Sequence, residues 1–245
     1  MKTIVVFSGA GISAESGIQT FRDSDGLWEN YSIEEIATPQ AWKSNPNLVT
    51  EFYNKRRKQI LEAQPNQAHR IIAELEEKYK VLVITQNIDD LHERAGSSSV
   101  LHLHGNITYA KSSGPQKEEY YYKINGWRLT PNDTCPDGYR LRPHVVWFGE
   151  EVPAYQDAIE QLEQADILIV VGTSLNVHPA AGLIHFARNA TKAFVIDPKA
   201  ARLNIPKTFV QITSNAETGF AELKRQLTEN LSTFLFNEKF YRSGH

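Results

Sequence analysis

Cysteine is nearly missing from this chain: Cys135 is the only one in 245 residues. One thiol cannot close an internal disulfide, and one thiolate is too few for a structural zinc site built on cysteines. The composition therefore points to a reducing compartment and predicts a cytoplasmic protein with no bound metal. Long apolar runs are missing too. The stretch MKTIVVFSGAGIS ends its short apolar run in a glycine turn, not a cleavable signal, and nowhere do about 18 apolar residues follow one another. No membrane contact is expected. Nor is there an excess of one charge: 26 Lys and Arg against 29 Asp and Glu leave a net −3. That balance excludes a protein that gains its affinity by neutralising nucleic-acid phosphates.

What is present is enough apolar material, 41% of the residues, to bury one sizeable core. KTIVVF (2–7), KVLVIT (80–85), DILIVV (166–171), AFVI (193–196) and FVQI (209–212) are short apolar runs rich in β-branched residues. Strands buried on both faces of a parallel sheet read this way. Amphipathic patterns such as Ala68, Ile71, Ile72, Leu75 and Tyr79 lie between them. The alternation predicts an α/β protein with a Rossmann-type, doubly wound parallel sheet. Two stretches break the rhythm and predict a smaller inserted lobe. The expected unit is 1–245, with a large lobe of 1–18, 66–105 and 142–232 and a small lobe of 19–65 and 106–141. No feature specifies an oligomer.

In an open α/β sheet, ligands sit beyond the carboxyl ends of the strands. After the first run comes GAGISAESG, where Gly9 and Gly11 would let backbone approach a pyrophosphate, although Ser13 and Ala14 stand where a third glycine is usual. A tight strand-to-helix turn explains the same residues. QNIDD follows the second run, GTSLNVHPAAG with Gly172 the third, and Asp197 the fourth. Asp197 suits either a ribose hydroxyl or a helix cap.

Together GAGISAESGIQTFR (9–22), TQNIDDLHERAG (85–96), HG (104–105), RPHVVWFGE (142–150) and GTSLNVHPAAGL (172–183) resemble the sirtuins, NAD-dependent protein-lysine deacylases. The resemblance implies NAD as cofactor, acylated lysine side chains of proteins as partners, and release of nicotinamide and O-acyl-ADP-ribose. It implies that His104 is the general base, a task suited to an imidazole with a pKa of about 6.5. Asn87 and Asp89 would position the leaving group, with Gln86 and Ile88 in the same block. Ala10, Gly11, Glu15, Thr20, Phe21 and Arg22 would hold the phosphates and shield the ribose, Thr173 and Ser174 the adenosine side, and Ala216 the adenine. Val146, Phe148, Gly149 and Glu150 would form a substrate edge and the mouth of the lysine tunnel.

The chain departs from the sirtuin pattern in two places. Gln19 stands where proline is usual. The cysteine pairs that hold zinc in the small lobe are reduced to Cys135, so that lobe is expected to be held by Tyr109, Tyr120, Tyr121, Tyr122, Trp127 and Tyr139, or by a partner chain.

FYNKRRK (52–58) lies within a predicted helix, NPNLVTEFYNKRRKQILEA. At about 100° per residue, Arg56 falls on the stripe of Val49, Tyr53 and Ile60, while Lys55, Arg57 and Lys58 point to solvent. The Tyr53/Arg56 spacing resembles the Tyr-x-x-Arg pair of sirtuins that remove succinyl and malonyl groups, and Ala37 matches the small residue of that acyl pocket. Two other readings remain open at this point: a non-catalytic NAD- or ADP-ribose-binding module, and an NAD-consuming ADP-ribosyltransferase.

Overall fold

In the computed structural model, which describes residues 1–18 and 31–227, all five apolar runs are strands: β1 (Thr3–Ser8), β2 (Lys80–Thr85), β7 (Ile167–Val171), β8 (Lys192–Ile196) and β9 (Val210–Ile212). With the short β3 (Val100–His102) they form one parallel sheet in the order β3-β2-β1-β7-β8-β9. Both faces are covered, which is why the runs show no polar alternation. Ile4, Val6, Val83 and Ile169 face α4 (Gln67–Glu74) and the helical residues 216–227, while Val5, Phe7, Ile84 and Val170 face α6 (Tyr155–Leu162) and Leu183. Each such side chain contributes roughly 1.5–3 kcal/mol by leaving water. After β1 the chain winds toward β3, and after β7 toward β9. The order therefore reverses between β1 and β7, and that switch point is where an open sheet leaves a crevice.

A second, antiparallel sheet has the order β5-β4-β6, with β4 (Tyr109–Ser112), β5 (Tyr121–Lys123) and β6 (Leu141–Pro143). Between the sheets lie α1 (Ile33–Ile36), α2 (Pro39–Ser44) and α3 (Pro46–Glu62). Helix α3 starts where the Asn45 side chain accepts the Leu48 N–H at 3.1 Å and Pro46 occupies the first turn, where its missing N–H costs nothing. Its inner face packs with Ile36, Ala37, Leu91, Ile107 and Trp147 into a third core joining the two parts of the molecule. α5 (Leu91–Ala95) follows the β2 loop.

Two expectations are corrected here. Arg57 is not solvated: it is wholly buried, giving Nε to the Ile107 carbonyl at 2.6 Å and Nη1 to Asn54 Oδ1 at 2.8 Å and the Trp127 carbonyl at 2.9 Å. Asn54 beside it binds both the N–H and the carbonyl of Leu129. A helical projection sees only the apolar stripe, and here a second, polar face is covered by backbone with no ladder partner of its own. The small lobe is also not held chiefly by its aromatics. Tyr120, Tyr121, Trp127 and Tyr139 are exposed, and the buried cluster is Ala110, Leu129, Cys135 and Leu141, with Tyr122 and Ile124 against it. Buried Lys111, paired with Glu118 at 2.6 Å, adds another polar tie. Among the described residues no three His, Cys, Asp or Glu side chains gather as metal ligands, and no helix is long and apolar enough to cross a membrane.

Candidate active site

The turn after β1 and the turn after β7 meet backbone to backbone. Gly11 N donates to the Gly172 carbonyl at 2.8 Å, and a Cβ on Gly9 would lie 2.7 Å from Thr173 Cβ. Gly172 has φ +60, and a side chain there would strike the Ile12 nitrogen. In this structure these glycines serve a loop-on-loop crossing, which fixes the floor of the crevice. Ala10 opens the short turn Ala10–Ile12 above it.

The next residue along the turn ties two strand ends together. Ser13 Oγ donates to Asp89 Oδ2 at 3.0 Å and accepts from Asn87 Nδ2 at 3.2 Å. Asp89 Oδ1 takes the Leu91 N–H at 3.2 Å, and Thr85 Oγ1 takes the Asn87 N–H at 3.1 Å. Burial raises the Asp89 pKa above the ordinary value, opposed by those bonds and by the charges of His102 and Arg56. Gln86 Nε2 donates to Thr173 Oγ1 at 3.0 Å, joining the β2 loop to the β7 loop. Ile88 is half-buried against the third core.

His104 places Nδ1 2.9 Å from the Gln86 carbonyl. A carbonyl only accepts, so Nδ1 carries the proton and Nε2 keeps its lone pair. Burial lowers the pKa of the ring, against the opposing Gln86 bond, so at neutral pH it is an uncharged base. His102 is the contrary case. Its two nitrogens face two acceptors, the Asn87 carbonyl at 3.0 Å and Glu93 Oε1 at 2.7 Å. Burial works against its charge, but the Glu93 carboxylate and the Asn87 carbonyl outweigh burial and raise its pKa.

Beneath this loop runs a buried polar chain. Ser8 Oγ donates to Thr85 Oγ1 at 2.9 Å and lies 3.0 Å from His92 Nε2; the His92 ring meets His69 edge-on at 4.9 Å. His69 contacts Asn66, whose Nδ2 donates to the Ile12 carbonyl at 2.7 Å. Burial keeps both imidazoles neutral, with His69 pushed down to about 4.

Of the other expected nucleotide residues, Ser174 is half-buried beside Thr173, and Glu15 Oε2 accepts the Glu217 N–H at 3.0 Å. Buried Ala216 begins the helical residues 216–227. Asp197 uses Oδ1 to hold the Lys199 N–H at 2.7 Å, a local turn bond just before the helical turn Ala200–Arg202. Thr20, Phe21 and Arg22, with Gln19, lie outside the described residues.

A second cluster borders the third core. Tyr53, 2% exposed, accepts the Trp147 Nε1–H at 3.2 Å, and burial, partly offset by that bond, raises its pKa. Arg56, one turn along α3, is buried and donates to Gln59 Oε1 at 3.2 Å. Buried Ala37 accepts the Phe148 N–H at 3.0 Å, and Val146 N donates to the His104 carbonyl at 2.9 Å. Phe148 and Gly149, φ +88, are exposed. Glu150 differs from its expected place at a substrate edge: Oε2 takes Arg142 Nη2 at 2.7 Å and the Trp147 N–H at 3.0 Å, and Oε1 takes Lys117 Nζ at 2.9 Å. Burial works against its ionised form, but these partners hold its pKa at about 2, so Glu150 is a clasp within the chain.

A sequence profile described as the Sir2 family matches residues 9–179. The chain belongs to the Sir2 family. It is 47% identical over 230 residues to an NAD-dependent protein deacylase of Bacteroides thetaiotaomicron, covering 93% of this chain and 98% of that one. A Helicobacter pylori protein of the same description is 48% identical over 232 residues, with 95% and 100% coverage. A solved Sir2 homologue in complex with NAD superposes with a TM-score of 0.84 at 39% identity, over 94% of this chain and 91% of that one.

Sequence reasoning missed two residues in this Sir2-family chain, Ser13 and Trp147. Ser13 was read only as the absence of a third glycine, yet its hydroxyl is the hinge pin between Asn87 and Asp89. A short hydroxyl directly after a glycine turn at a strand end is the signal that could have found it. For Trp147 the signal is an indole inside an otherwise apolar edge segment, since a buried indole N–H requires an acceptor.

Proposed function

We propose that this chain is an NAD-dependent protein-lysine deacylase that removes acidic acyl groups, succinyl and malonyl, as well as acetyl, and releases nicotinamide and O-acyl-ADP-ribose. The observation that carries the reading is His104, whose Nδ1–H donates to the Gln86 carbonyl, in the loop that also holds the Asn87–Ser13–Asp89 bridge at the sheet's switch point, and leaves Nε2 as the base. The donor set fits the dinucleotide: at the ends of β1, β2, β7 and β8 stand short hydroxyls, amides and carboxylates, groups that bind sugar hydroxyls.

Gly9, Ala10, Gly11 and Glu15 would hold the phosphate side, Thr173, Ser174, Asp197 and Ala216 the adenosine side, and Gln86 to Asp89 the nicotinamide ribose. When bound, NAD supplies an electrophilic ribose carbon with nicotinamide as leaving group. Asn87 and Asp89, held by Ser13, orient the sugar so that little motion is lost on reaching the reactive geometry. His104 accepts a proton at Nε2, and burial keeps that nitrogen unprotonated beforehand. Val146 and Phe148 flank the acylated lysine.

For the acyl end, Tyr53 and Arg56 occupy the same inner stripe of α3, and the positive charge of Arg56 is felt at both Tyr53 and Asp89. A guanidinium on that stripe can bind a carboxylate in a bidentate manner, which supports the acidic-acyl reading. The near-neutral charge and the lone Cys135 fit a cytoplasmic enzyme acting on proteins, not on nucleic acid.

The test is mass spectrometry of NAD with acetyl-, succinyl- and malonyl-lysine peptides, wild type beside His104→Ala. O-acyl-ADP-ribose is expected from the wild type only. NAD consumed equally without an acylated peptide would favour ADP-ribosyl transfer, and no consumption at all would favour a binding module. Arg56→Met should lower the succinyl-to-acetyl ratio of kcat/KM.

A further inference from the structure

Tyr53 sits on α3 and Trp147 on the turn after β6, and the two side chains meet by one hydrogen bond in which the indole Nε1–H gives to the phenol oxygen at 3.2 Å. Both residues are 2% exposed. An indole can only donate. With that donor occupying the phenol oxygen, the single hydroxyl hydrogen of Tyr53 is left to be given elsewhere. Arg56, one turn along, is also a pure donor. Two side chains that both present hydrogens suit a carboxylate and offer nothing to a methyl group.

The indole is itself fixed. The Arg142 guanidinium lies over its ring at 3.7 Å from the centroid, and Trp42 packs at 5.8 Å. Its backbone N–H and Arg142 Nη2 share Glu150 Oε2, at 3.0 and 2.7 Å. Swinging the ring away from Tyr53 would forfeit its contacts with Arg142 and Trp42.

We propose that Trp147 is a specificity-determining residue: by donating to Tyr53 it fixes the phenol as a hydrogen-bond donor, so that Tyr53 and Arg56 together select an acyl chain ending in a carboxylate. This rests on the acidic-acyl reading above. Trp147 touches no reacting atom and acts through Tyr53.

Trp147→Phe keeps a ring under Arg142 and deletes the N–H. With succinyl- and acetyl-lysine versions of one peptide, it is expected to lower the succinyl-to-acetyl ratio of kcat/KM about tenfold, the size of one lost hydrogen bond to a charged group. The fall should appear mainly as a higher KM for the succinyl peptide. In a Tyr53→Phe background the same substitution should change the ratio less than about twofold, since the hydroxyl it orients is gone. An unchanged ratio in Trp147→Phe, with Arg56→Met collapsing it, would overturn the role of Trp147 and leave the acidic-acyl reading standing. Ratios unmoved in both variants would remove that reading and this inference together. An equal loss on both peptides, or a full effect persisting in the Tyr53→Phe background, would make Trp147 a fold residue only.

Discussion

At the carboxyl edge of the six-stranded sheet the buried polar groups are short and bound at close range: Ser8, Ser13, Thr85 and Asn87 bind neighbours on adjacent strand ends. In and beside the small lobe long cationic groups are buried as well, with Arg57, Lys111 and Arg142 reaching backbone carbonyls or carboxylates alongside short groups such as Asn54, Thr108 and Ser112. The contrast follows from how much apolar surface each region has. The parallel sheet is sandwiched between two large hydrophobic clusters, so short side chains need only fine positioning. The small lobe has a buried cluster of four residues, so its loops are cross-linked by guanidinium and ammonium groups that span several ångströms. Burial lowers the Arg57 pKa to about 10, still well above neutral pH, and the cross-link remains charged at any ordinary pH.

The largest effect should come from the tightest point of the sheet edge. Gly172→Ala forces φ +60 on an L-residue and drives a methyl into the Ile12 nitrogen. A loss of roughly 3 kcal/mol or more is expected, read as a lower urea midpoint with NAD affinity lost as well. A variant of wild-type stability would show that this crossing is not tight. Arg57→Met comes next. It leaves the Ile107 and Trp127 carbonyls without their Arg57 donor, at roughly 1 kcal/mol each, while Asn54 Oδ1 keeps the Leu129 N–H. Hydrogen exchange should quicken across residues 106–141 while β1, β2 and β7 stay protected. Uniform quickening would erase the distinction between the two regions.

Acid should strike the sheet edge by a different route. His69 titrates near 4 when folded and near 6.5 when unfolded, so between those values the unfolded chain binds the extra proton and stability falls with pH. The contribution is whole above about pH 6.5 and shrinks by roughly 2 kcal/mol at pH 5. His144, lowered to about 4 chiefly by burial, adds to this fall, and His102, whose pKa is raised, opposes it. Urea midpoints by circular dichroism at pH 7.5 and 5 should differ accordingly, and less so in His69→Gln. The smallest effect is the control within α3: Lys55→Ala removes an exposed pair with Glu51 at 4.0 Å and should cost less than about 0.5 kcal/mol. Lys55 mattering as much as Arg57 would mean that burial does not set the worth of these cations.

How much was legible follows the same division. The central strands β1, β2, β7 and β8 showed because burial leaves a nearly unbroken apolar run, and the edge strand β9 showed through its β-branched residues. The three short strands of the small lobe did not, since YAKS, YYK and LRP carry neither a run nor an alternation long enough to register. Tyr53, Arg56 and Trp147 differ in the same way. α3 put the first two on one face at a spacing that can be counted, whereas the Trp147 bond joins residues 94 apart and depends on tertiary packing alone. Ser13 was hidden because a serine at a turn usually caps, and nothing local shows that Asn87 and Asp89 will arrive from a distant strand end.

The third core lies beside the sheet edge and shares residues with its β2 loop. Ala37, Tyr53 and Trp147 pack together in it, while the glycine crossing and Ser13 belong to the sheet edge. Under the proposed acyl reading, a library aimed at an unnatural acyl chain would vary the first set alone. Ile88 and Leu91 of the β2 loop pack in the same core, so the second set would register any rearrangement that spread beyond the first.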